Sequence, residues 1–171
     1  MIKGADVAWA LSEAGLLLSA SAAMPGEFVG ITDDSRAVKP GTLFLAVRGS
    51  ARDGHDFLAA AASAGASAAV VDDPARTSLP VFVVRDTRAA VATVASAAYG
   101  YPARQLRAVG VTGTNGKSTT VALVRHLLDQ PAASLGTIGV FIGDTPLGET
   151  GLTTPGPIEL QRVLRLLIDR G

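Results

Sequence analysis

"TLFLAVRGSARDGHDFLAAAASAGASAAVVDD", Thr42 to Asp73, decides the fold class. The short apolar run TLFLAV opens it and SAAVVDD closes it, and each reads as a strand. Between them, DGHDFLAAAASAGA reads as a helix closed by Gly65. Working outward, EFVGIT (27–32) reads as a further strand and DDSRAVKPG (33–41) as a turn-rich polar loop. LPVFVVRD (79–86) is another strand. DTRAAVATVASAAYG (86–100) is a helix with Asp86 or Thr87 as its cap. Strands alternating with helices imply an α/β domain with a mainly parallel sheet.

Near the N-terminus, Lys3 and the stretch AGLLLSASAAM have the look of an apolar leader. Asp6 and Glu13 interrupt it, and Val7, Ala10, Leu11, Ala14 and Leu18 fall at helical spacing. The pattern predicts an amphipathic first helix. No stretch approaches the roughly 18 consecutive apolar residues that span a bilayer. The chain has 171 residues, 48% of them hydrophobic and 18% charged, enough to bury a core. Fifteen basic residues balance fifteen acidic ones, which gives no support for binding nucleic acid or an acidic membrane surface. The absence of Cys excludes disulfides and Cys-based metal sites and fits a reducing cytosol.

YGYPARQLR (99–107) breaks the alternation, because Gly100 and Pro102 do not extend a helix. The expected division is 1–101 and 102–171. The second α/β unit begins with a strand at LRAVGVTG (106–113). A helix follows from about Ser118 to Asp129, then two short strands within ASLGTIGVFIG (133–143), then a last helix in GPIELQRVLRLLIDRG (156–171). That unit has about 65 residues, against ~100–150 for a typical independent domain. It reads as the start of an ATPase domain, and the chain as the front part of a larger protein.

The second unit also carries the clearest chemistry, in VGVTGTNGKSTTVALVRHLL (109–128). A Gly-rich turn feeding a helix leaves backbone N–H groups unpaired, and the helix start adds partial positive charge. Together they make an anion cradle. Gly113 and Gly116 let a phosphate approach the backbone. Lys117, one of three lysines in the chain, supplies charge to the outer phosphates and is the candidate catalytic residue. The Ser118 hydroxyl is the candidate Mg²⁺ ligand. Gly113, Thr114, Asn115, Gly116, Lys117, Ser118 and Thr119 form the candidate ATP site. The strict loop pattern requires Gly where Val111 stands; G-x-x-G-K-S remains. An ATP-using site also needs a metal carboxylate. Asp144 in GDTPLG is one candidate, but the stretch reads more simply as a hairpin turn. Glu149 and Glu159 are no better placed.

These residues resemble the Mur ligase family of peptidoglycan synthesis. VTGTNGKST is similar to that family's ATP loop. Residues 31–71 resemble the substrate domain shared by its MurE and MurF types, with D-S-R, then P-G-x-L-F, then D-G-H-x-F, then G-A. LGTIG and TTPGPIELQ favour the MurE type, with MurF as the alternative. The resemblance implies a cytoplasmic bacterial enzyme that uses ATP and Mg²⁺. It would add diaminopimelate or lysine to UDP-N-acetylmuramoyl-L-alanyl-D-glutamate, forming ADP. It implies that Ser35, supported by Asp33, meets the UDP part and that Ser50, Ala51 and Arg52 close over the nucleotide. Thr153 and Thr154 would meet the muramoyl-peptide end. The family's later elements do not occur in these 171 residues: the E-x-S-S-H strand with its metal-binding Glu, a carbamylated Lys, and the domain that binds the amino acid. Gly156 also stands where an acidic residue usually follows T-T-P.

Simpler roles compete. Asp34 and Arg36 fit a turn with a surface ion pair. His55 fits a packed or capping residue, and His126 a structural one. Thr153 and Thr154 fit an N-cap for the last helix. The 171 residues alone are expected to show no ligase turnover. A non-catalytic nucleotide-sugar-binding module is the main alternative, and an unrelated P-loop kinase or GTPase the third.

Overall fold

A computed structural model of the chain describes residues 1–49, 52–128, 132–148 and 155–170. The chain divides into two compact units, Met1–Tyr101 and Pro102–Gly171.

The first unit is built on a five-stranded sheet of order β2-β7-β6-β5-β4. Strands β4 (Gly30–Thr32), β5 (Thr42–Leu45), β6 (Ala68–Val71) and β7 (Val81–Val84) run parallel, while β2 (Leu17–Ala20) lies antiparallel on β7. All residues of β5 and β6 are buried, which is why they read as unbroken apolar runs. Side chains alternate across the sheet. Phe44, Ala69, Val71 and Val81 form one core with Leu58 and Ala61 of α2 (Leu58–Ser63). Leu43, Leu45, Val70, Phe82 and Val84 point the other way and are also buried. Helices α1 (Gly4–Glu13) and α3 (Thr87–Ala98) pack on each other and supply Val7, Leu11, Val91 and Val94 to the buried interior.

Asp86 caps α3: its Oδ1 accepts from the N–H groups of Arg88 at 2.8 Å and Ala89 at 3.1 Å. The helix expected from Asp53 begins as a 3₁₀ turn, Gly54–Phe57, before α2, and Gly65 follows its end.

Three expectations need correction. The first helix does not reach Leu18. It stops at Glu13, Gly15 turns the backbone to φ +66°, and Leu17–Ala20 becomes the edge strand β2. Otherwise the outer N–H and C=O groups of β7 would lack a ladder partner, and that need outweighs the helical spacing of Leu18. EFVGIT is two strands: β3 (Glu27–Phe28) pairs with β1 (Ile2–Lys3), and β4 pairs with β5. Residues 107–112 form no strand. A parallel strand is held by neighbours on its edges, and none of the second unit's described strands pairs with this segment.

The second unit contains α4 (Lys117–Leu127), the antiparallel strands β8 (Ala133–Gly136), β9 (Gly139–Ile142) and β10 (Thr145–Gly148), and α5 (Pro157–Asp169). The sheet order is β10-β9-β8. Val140, Val163 and Leu167 form its small core, with Leu135, Ile142, Leu147 and Leu164 packed against them. None of the side chains of α4 is buried. Among the described residues no helix is long and apolar enough to cross a membrane.

Candidate functional site

The loop before α4 takes the form its glycines permit. Gly113 has φ +143° and Gly116 φ +78°, conformations in which a side chain is strained. Gly116 is the N-cap of α4 and brings no side-chain cap, so the helix begins with an open N-terminus. Thr114, Asn115, Ser118 and Thr119 are exposed around it. Lys117 folds back across the loop: its Nζ donates to the Gly113 carbonyl at 2.6 Å and lies 3.4 Å from that of Thr114. Among the described residues no carboxylate pairs with it. A cleft of about 390 Å³ opens beside the loop, lined by Gly113, Lys117, Ser118 and Arg125 and by Ser134 and Thr137. That volume is within the range of small-molecule sites. Ser118 offers a hard, neutral oxygen at the open helix start, the kind of donor that Mg²⁺ accepts.

Asp144 sits in the turn between β9 and β10 with its side chain 89% exposed, 3.6 Å from Arg125 Nη2. That is the hairpin position. Glu159 is engaged by Arg162, through Nε at 2.7 Å and Nη2 at 2.6 Å, which holds its carboxyl below the ordinary range. His126 is exposed in the last turn of α4. Glu149, Thr153 and Thr154 lie outside the described residues.

In the first unit, the candidate residues fall on loops at the carboxyl ends of adjacent strands. Asp33 and Ser35 follow β4; Arg52 follows β5. Ligands of parallel sheets gather at this end. Ser50 and Ala51 lie outside the described residues. Asp34 caps the turn Ser35–Ala37 by accepting from the Arg36 N–H at 3.0 Å and takes a two-pronged ion pair from the Arg36 guanidinium. These contacts, the side-chain one first, hold Asp34 at about 2.

The same edge carries a charged network that sequence reading missed. The Arg48 Nε and Nη2 meet Asp72 at 2.8 and 2.9 Å. Arg76 spans Asp53 at 2.9 Å and Asp56 at 2.5 Å. His55 is the buried centre: Nδ1 meets Asp53 Oδ1 at 2.7 Å, and Nε2 lies 3.2 Å from the Asp72 backbone nitrogen. Nε2 also lies 3.1 Å from Asp72 Oδ1, so each ring nitrogen faces a carboxylate. His55 is thus a packing residue. Its network ties the loops after β5 and β6, and the Arg48 N–H reaches Thr87 Oγ1 of α3 at 3.2 Å.

Asp53 is held at about 2, first by the His55 backbone N–H, then by the His55 side chain and Arg48, against a desolvation cost. A carboxylate depressed in the folded state contributes stability above its unfolded value, and loses it as pH falls through the folded one. For Asp53 that window runs from about pH 4 to 2. Asp53→Asn is expected to flatten the fall in urea midpoint across that window relative to the parent chain. Parallel curves for the two proteins would show that Asp53 contributes nothing there.

The first unit is a parallel α/β unit with its candidate residues at the carboxyl edge of the sheet, and in the second a Gly-rich loop opens a helix. The chain belongs to the Mur ligase family: residues 27–123 match the family's catalytic domain, and residues 111–171 match the Mur ligase middle domain. It is 44% identical over 150 residues to the UDP-N-acetylmuramoyl-L-alanyl-D-glutamate–2,6-diaminopimelate ligase of Geobacter metallireducens, covering 85% of this chain and 29% of that one. A solved structure of a ligase of that name is 28% identical, with TM-score 0.66, over 85% of this chain and 30% of that one. MurF ligase from Thermotoga maritima, solved with ADP, is 26% identical, with TM-score 0.51, over 77% and 28%. The chain spans about 30% of the length of the curated relatives it matches.

Proposed function

We propose that the chain supplies the nucleotide-sugar-binding unit and the phosphate loop of an ATP-dependent, ADP-forming ligase. That ligase joins 2,6-diaminopimelate to UDP-N-acetylmuramoyl-L-alanyl-D-glutamate in the bacterial cytoplasm. The observation that carries this reading is the start of α4, which has no side-chain cap, with Lys117 lying across its loop unpaired by any described carboxylate. The 44% identity to a diaminopimelate ligase supports that substrate class, and a MurF relative solved with ADP supports the nucleotide.

A carboxylate is a poor electrophile. The γ-phosphoryl group of ATP passes to the D-glutamyl carboxylate oxygen, giving an acyl phosphate and ADP. The diamino acid's amine then attacks the acyl carbon, phosphate leaves with the C–O bonding pair, and the amine loses a proton as the amide forms. Both steps build negative charge on phosphate oxygens, the charge that Lys117 and the N–H groups of 113–119 are suited to hold. Mg²⁺, held in part by Ser118, would neutralise phosphate charge there. Asp33, Ser35, Ser50, Ala51 and Arg52 are assigned to the UDP end of the substrate, and Thr153 and Thr154 to the muramoyl-peptide end.

Calorimetric titration with UDP-N-acetylmuramoyl-L-alanyl-D-glutamate tests the substrate half of the proposal. Ser35→Ala is expected to weaken binding about tenfold, the worth of one hydrogen bond at the upper end of its range. Equal affinity for the two proteins would remove Ser35 from the site.

A further inference from the structure

Arg125 stands apart from the arginines that pair with carboxylates through two nitrogens. Arg36, Arg48, Arg76, Arg162 and Arg165 each place two guanidinium nitrogens on carboxylates. Arg125 is more enclosed, with its side chain 15% exposed, yet among the described residues it makes one side-chain hydrogen bond, from Nη1 to Ser134 Oγ at 2.8 Å. Its Nε is buried and finds no acceptor among the described residues. Its Nη2 is 3.6 Å from Asp144, beyond hydrogen-bond range, and that carboxylate is 89% exposed. The guanidinium lies 4.8 Å from the centre of the Phe141 ring, which holds it in place without neutralising its charge.

The location gives this under-satisfied cation a meaning. Lys117, Val121 and Arg125 follow one another at four-residue spacing on α4, and all three line the cleft. Two turns of helix separate the two cations, roughly 12 Å along the axis. A buried donor with no acceptor is costly and needs an explanation. A clamp between α4 and β8 would account for Nη1 alone.

We propose that Arg125 is a second oxyanion-binding residue of the cleft. It takes a phosphate or carboxylate of a ligand in the same cleft, two turns along α4 from Lys117. The exposed Asp144 acts as a weak competitor that such a ligand displaces. The proposal rests on the nucleotide reading of the loop and extends it to a residue outside the loop.

The test titrates Mg-ATP and, separately, UDP-N-acetylmuramoyl-L-alanyl-D-glutamate into the parent chain, Arg125→Gln and Asp144→Asn at two salt concentrations. Thermal midpoints are recorded for all three. Arg125→Gln is expected to weaken one of the ligands by about ten- to a hundredfold, as for a lost charge-assisted hydrogen bond, and to flatten its salt dependence. The ligand affected identifies the oxyanion as phosphate or carboxylate. Asp144→Asn is expected to tighten the same ligand, which keeps the test decisive if Arg125→Gln does not fold. Unchanged affinities in the variants overturn the role of Arg125. So does an equal loss for both ligands that tracks a lowered thermal midpoint, the signature of a clamp alone. A parent chain that binds neither ligand overturns the nucleotide reading instead.

Discussion

Lys117→Ala is expected to weaken Mg-ATP binding to the chain by about a hundredfold or more, beyond detection in an ordinary calorimetric titration. Each hydrogen bond to a charged group contributes ~1.5–3 kcal/mol, and an ammonium spanning two phosphate oxygens makes more than one. Each 1.4 kcal/mol is a factor of about ten in affinity. The fold should survive, because Lys117 touches the loop through two carbonyl contacts and packs no core. The control is therefore an unchanged far-ultraviolet spectrum and thermal midpoint. If Lys117→Ala binds Mg-ATP as the parent does, the loop is an ordinary turn and the ligase reading loses its main support.

The largest stability effect is expected at Gly54. A Cβ there would lie 2.5 Å from the Val47 nitrogen and 2.7 Å from both the Ala46 carbonyl carbon and the Val47 oxygen. All three are backbone atoms, so no side chain can swing aside. The Gly54 N–H also donates to the Val47 carbonyl at 2.9 Å, which fixes the two segments against each other. Separating them would disturb Asp53, His55 and Arg48 together. Overpacking commonly costs ~1–3 kcal/mol, and a rigid backbone clash belongs at or above the top of that range. In a unit of this size, ~3 kcal/mol lowers the midpoint by about 12–24 °C. Gly26→Ala is the matched control, because a Cβ there meets nothing within 4 Å. A Gly54→Ala variant within about 1 kcal/mol of the parent in urea unfolding would show that the close approach relaxes freely.

The parts legible in the sequence share a physical property: their signal is local. β5 and β6 are buried throughout, so their residues form apolar runs that need no partner to be recognised. The cap at Asp86 and the Gly-rich turn that opens α4 are also written in consecutive residues. What escaped reading depends on contacts between distant positions. β2 continues the helical spacing of α1 and becomes a strand because β7 offers it an open edge. The two-residue ribbon of β1 and β3 is too short to carry a pattern. The His55 network joins Arg48, Asp53 and Asp72, which meet because β5 and β6 are neighbours. Arg125 occurs on a helix whose sequence advertises its apolar residues, and its pairing with Phe141 depends on the hairpin that follows.

None of the side chains of α4 is buried, and that changes what affinity would measure at the loop. Eleven residues alone make a helix of marginal stability, and in α4 the support from packing is confined to the half-buried Lys117, Val121 and Arg125. An anion at the Gly116 end would serve as the cap that no side chain provides, so filling the site and ordering the helix would be one thermodynamic event. Part of the intrinsic attraction between phosphate and loop is then spent on conformational order, and the measured constant reports the remainder. Any residue that changes the helicity of 117–127 would shift that constant from a distance, without touching the phosphate.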